Sequence, residues 1–132
     1  MGAQPLLKDQ LDAGAAFVRE FNEFIPVDVA FWINPAETDL WRLYIASPEY
    51  KGEKRSEAEN EVFRRLGGTR QWVEPMQVKL INSNDRVAQK AIEIRDLYPP
   101  HLATRFPGTN IGGAPIDGAY IYPSAELVNS TS

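Results

Sequence analysis

The stretch VDVAFWINPAETDLWRLYIAS, beginning at Val27, constrains the fold most. Two alternating segments flank PAETD, which has the composition of a turn. In the first, Val27, Val29, Phe31 and Ile33 share one face, and Asp28, Ala30 and Trp32 share the other. In the second, Trp41, Leu43 and Ile45 oppose Arg42 and Tyr44. If the two segments form a hairpin, its apolar faces must match, because a one-residue slip moves every side chain to the wrong side. Matching them predicts Ile33 opposite Trp41, Phe31 opposite Leu43 and Val29 opposite Ile45. Trp32 then lies across from Arg42, and Ala30 across from Tyr44. The back of the hairpin carries Trp32, Arg42 and Tyr44 together, residue types that dominate binding hot spots. The alternative is a helix of the same chain covering this face, which makes Trp32 core.

Helical spacing frames this hairpin. Over residues 5–24, Leu7, Leu11, Gly14, Val18 and Phe21 recur three and four apart, continue to Ile25, and are widened by Phe17 and Phe24. Pro26 ends the run, and Gly14 in the stripe marks a place of close approach. SEAENEVFRRLGG predicts a second helix, with Ser56 and Glu59 as a capping box and Ala58, Val62 and Leu66 inward. Its early glutamates, late arginines and terminal glycines all suit helix ends, so these charges are assigned no function. MQVKLIN reads as a strand with Met76, Val78 and Leu80 inward. A third helix follows, capped by Ser83 or Asn84, with Val87, Ala91, Ile94 and Tyr98 buried. LATRF and DGAYIY read as two closing strands.

Between those last strands lies PGTNIGGAPIDG, whose glycines raise the question of a phosphate cradle. Such a loop needs backbone N–H groups converging at a helix N-terminus, commonly with a Lys and a Ser or Thr following. Neither the Lys nor a helix follows here. NIGGAPIDG within it is predicted to be a hairpin connection of about nine residues whose glycines take positive φ. Arg105, Asp117, Tyr120 and Tyr122 flank it, and Arg105 is predicted to lie near one of the two tyrosines. Arg105, Asp117 and Tyr120 join Trp32, Arg42 and Tyr44 as candidate binding residues. With His101 they are also the candidates for an enzyme site near residues 107–119. The bland reading is that the tyrosines pack one face of an edge strand.

Composition excludes several classes. The chain has 132 residues, the size of one domain, and no cysteine, which removes disulfides and thiolate chemistry. The single histidine, His101, rules out a multi-histidine site within one chain. Asp39, Gln77 and Lys79 only faintly imitate a metal-dependent nuclease site. No cofactor fingerprint or metal spacing is present, so no cofactor and no metal are expected. The net charge of −4 disfavours nucleic acid as a partner without closing that case. No apolar run approaches the ~18 residues of a membrane span, and the N-terminus lacks a signal-peptide pattern.

Ala30-Phe31-Trp32 and the segment from Trp41 to Pro48 resemble the hairpin of a group of small bacterial proteins with no assigned activity. In that group a helix precedes a strand ending in AFW, and a WRLYIASP-like strand answers it. The resemblance covers the first third of the chain and implies the hairpin, with no catalytic residue to carry over.

The sequence therefore predicts one α+β domain over residues 1–128, with a polar tail at 129–132. Its mainly antiparallel sheet of four to five strands carries three helices in the order α-β-β-α-β-α-β-β. The expected function is that of a cytoplasmic interaction or assembly subunit without catalysis, binding a protein partner or itself. The alternative is a hydrolase or nucleic-acid-processing enzyme near residues 107–119.

Overall fold

The computed structural model describes residues 8–35, 41–67, 73–106 and 110–127. Within them the elements are α1 (Lys8–Phe24), β1 (Val29–Pro35), β2 (Arg42–Ser47), α2 (Lys54–Leu66), β3 (Val78–Asn82), α3 (Arg86–Arg95), β4 (Thr104–Phe106), β5 (Asn110–Ile111) and β6 (Ala114–Ile121). Short 3₁₀ turns at Pro75–Gln77 and Ser124–Leu127 complete them. This is an α+β fold on a mixed sheet. The strand order is β3-β2-β1-β6-β4, with β5 also on β6. β2 and β3 run parallel, joined through α2 as a parallel pair requires, and the other pairs are antiparallel.

The hairpin register differs by one residue from that expected. Trp32 pairs with Leu43, Phe31 with Tyr44 and Ile33 with Arg42. Trp32 and Leu43 therefore share a face, and Arg42 and Tyr44 lie on the opposite one. The reason is that the sheet is buried on both sides. α1 and α2 cover the face of Ala30, Trp32, Leu43 and Ile45. α3 covers the face of Val29, Phe31, Ile33 and Ala46. Both parities of β1 are apolar, so parity matching had no solvent face to refer to. The first helix thus packs on Trp32, not on the Val29–Ile33 face.

Gly14 makes the expected close approach. A Cβ there would sit 2.5 Å from the Tyr122 hydroxyl and 3.1 Å from the Trp32 ring. That hydroxyl donates to the Leu11 carbonyl at 2.6 Å and accepts from Trp32 Nε1 at 2.9 Å. α1, β1 and β6 are thereby tied at one buried point.

Helix starts differ from the sequence expectation. α2 begins at Lys54, ahead of Ser56, so no Ser56–Glu59 capping box forms, and its N-cap Glu53 makes no side-chain cap. α3 is capped by Asp85, whose carboxylate accepts from the Val87 N–H at 2.9 Å. α3 ends at Arg95, which leaves Tyr98 half exposed rather than buried. Met76, expected inward, lies in the 3₁₀ turn and is 79% exposed.

The glycine-rich stretch closes tightly. Ile111 pairs with Ala114 across a turn of Gly112 and Gly113, with φ of +58° and +92°. Two successive positive φ values are what a type I′ hairpin turn demands. The connection of about nine residues is therefore replaced by a two-residue turn, with strand on both sides. A side chain at Gly112 would meet the Arg86 carbonyl at 2.6 Å, so the turn packs on the first turn of α3. Residues 107–109, the tail from 129 and Asp39 lie outside the described residues, as does the side chain of Asp117.

Candidate functional site

The described residues form a groove of about 860 Å³ along β3, at the end of the sheet. No described strand pairs with the outer side of β3. β3 sits there because α2 carries the chain back over the sheet and lays it parallel to β2. Alternation along the strand then divides its side chains. Val78 and Leu80 turn toward the layer of α1 and α2, and Ile81 toward the layer of α3.

On the α2 side the groove is lined by Val62, Phe63, Pro75 and Met76 beside Val78 and Leu80. Phe63 is 57% exposed, so two large apolar side chains, Phe63 and Met76, stand in water at the rim. Tyr50, largely buried, also lines the groove. Its hydroxyl donates to the Glu59 carboxylate at 2.6 Å, and the Arg55 guanidinium lies 5.4 Å from its ring centroid. Burial, followed by the hydrogen bond with Glu59, raises the Tyr50 pKa and keeps the phenol protonated. On the α3 side the buried Ile81 is flanked by Arg42, Lys79 and Asp85, while Asn82, in phase with Val78 and Leu80, donates to the Tyr50 carbonyl on the α2 side. Across both sides four cations, Arg42, Lys51, Arg55 and Lys79, outnumber two carboxylates, Glu59 and Asp85. Both carboxylates are already hydrogen-bonded within the chain.

The candidate residues from the sequence separate. Trp32 is fully buried core, so the proposed Trp32–Arg42–Tyr44 face does not exist. Tyr44 is half-buried and stacks on Phe31, with ring centroids 5.4 Å apart. Its pKa is raised mainly by that burial. Arg42 does line the groove. At the far end of the sheet Arg105 pairs with Tyr120, and its guanidinium lies 5.0 Å from the ring, as the sequence suggested. Neither residue lines the groove, and exposed His101 does not either.

Sequence reasoning missed Phe63, Met76 and Lys79 as partners of Arg42. Phe63 was the available signal, an aromatic residue off the buried Ala58–Val62–Leu66 stripe. Among the described residues no three acidic or histidine side chains gather as a metal would need. No described helix is long and apolar enough to cross a membrane. Compared with protein-family models, curated proteins and solved structures, the chain matches none of them.

Proposed function

We propose that the protein is a non-catalytic interaction subunit whose partner lies in the groove along β3. One observation carries this reading: an edge strand flanked by the exposed Phe63 and Met76. Exposed apolar side chains gathered at a concave surface mark contact sites, whereas scattered ones need no explanation. The groove takes over the interaction role that the sequence assigned to the Trp32 face. Arg42 is the residue common to both.

The experiment is site-specific photo-crosslinking in cells that express the full chain. A photoreactive amino acid replaces Met76 in the groove or Lys90 on the exposed side of α3. The expected result is an adduct of one defined mass from position 76, absent from position 90. Phe63→Glu should abolish it while leaving the circular dichroism spectrum unchanged, because Phe63 is largely exposed. Equal, diffuse labelling from both positions would overturn the reading.

A further inference from the structure

The groove does not merely flank β3; it wraps around its edge, and the two sides differ in chemistry. Ser83 N–H donates to the Ser47 carbonyl at 3.1 Å, and Ser47 pairs with Asn82. In a parallel ladder this phase turns the backbone groups of Lys79 and Ile81 toward β2. Those of Val78 and Leu80 then point outward, into the groove. The Val78 N–H is taken by the Pro75 carbonyl. Leu80 thus directs both an N–H and a C=O away from the sheet, the pair that an added strand engages.

A strand laid on this edge sends alternate side chains to opposite faces. One set meets Phe63, Met76, Val78 and Leu80 on the α2 side. The other meets Arg42 and Lys79 on the α3 side, where the remaining acid, Asp85, already caps α3. We infer that the partner is an extended peptide segment of alternating apolar and acidic residues, added to the sheet as a strand beside β3. Main-chain bonds to Leu80 supply affinity, and the two unlike faces supply register. Charge argues against a second copy of β3 as the occupant, since twofold pairing brings Lys79 and Arg42 of one chain toward those of the other. This inference rests on the groove being the interaction site.

The probe is a nine-residue peptide of alternating valine and glutamate, titrated against the full chain by calorimetry. It is compared with a scrambled peptide of the same composition and with a valine–lysine version. The expected result is binding of the valine–glutamate peptide, weakened about tenfold or more by scrambling, by lysine, or by Lys79→Glu in the protein. N-methylation at alternate peptide positions should abolish binding in one phase and spare it in the other, and the Leu80 amide should gain protection from hydrogen exchange. Equal binding of the scrambled peptide would overturn strand addition. Absence of peptide binding alongside a persistent Met76 adduct would overturn the inference and leave the groove as the interaction site. Loss of that adduct together with peptide binding would remove both. A dimer in light scattering, dissolved by reversing Lys79, would make a second copy the occupant and overturn the acidic strand.

Discussion

Both faces of the sheet are covered by helices, and the two are built differently. Between α1 and the sheet, Phe17 and Phe21 of the helix meet Trp32 and Tyr122, and Trp32 is hydrogen-bonded to Tyr122. Between α3 and the sheet, Ala88 and Ala91 of the helix meet Ala46 and Ala119 among aliphatic side chains and Phe31. A face of rings needs a gap in the helix above it, and Gly14 supplies one. A face of alanines lets a ten-residue helix approach without such a gap. The difference teaches that the first face specifies geometry through one crowded, hydrogen-bonded point, whereas the second is held by close apolar packing.

Truncation is the strongest way to break this comparison. Trp32→Ala should cost about 3–5 kcal/mol and Ile33→Val on the α3 face only about 0.5–1.5 kcal/mol, read by urea unfolding. Equal losses would erase the distinction. The crowded point comes next. Tyr122→Phe should cost about 1–3 kcal/mol, because it strands the buried Trp32 N–H and removes the second hydrogen bond to the Leu11 carbonyl. Gly14→Ala should cost about 1–3 kcal/mol through its clash with the same hydroxyl. The double variant should lose less than the sum, since removing the hydroxyl makes room for the methyl. Strict additivity would mean that the two groups do not share a site. On the α3 side the helix end contributes as well: Asp85→Ala should cost about 1 kcal/mol.

The smallest effect lies on the surface of α2. Arg64, with burial opposing it and Arg65 assisting, lowers the Glu61 pKa from 4.5 to about 2. A depressed carboxylate stabilises the fold fully above its unfolded pKa, and that contribution fades as pH falls from about 4.5 toward 2. These are partly exposed pairs on one helix, so Glu61→Gln should cost about 1 kcal/mol or less at pH 7. The cost should shrink at pH 3. A loss independent of pH would assign the effect to packing.

Much of the fold was legible because periodicity survives burial on one side. Three helices and the strand-rich segments follow from stripes and alternation, and Gly14 from its place in a stripe. Helix starts were less legible. Ser56 has the right spacing for a cap, yet the chain enters α2 earlier, at Lys54. Asp85 competes with two equally plausible neighbours, Ser83 and Asn84, in NSND, and only the backbone path selects it. The groove was hardest to see. That β3 ends the sheet depends on α2 crossing back to run it parallel to β2, a decision no local pattern records.

By itself the sequence determined the three helices and most of the strands, though not β5 or the early start of β6. It also determined that Arg105 would lie near a tyrosine of the last strand. Only the tertiary structure decided the hairpin register, the burial of Trp32 and the separation of Arg42 from it. The physical reason is that β1 is apolar on both faces. Alternation then sorts its residues into two sets without saying which set meets which helix. That choice is made by contacts remote in sequence, such as Trp32 with Tyr122 and Tyr122 with Leu11.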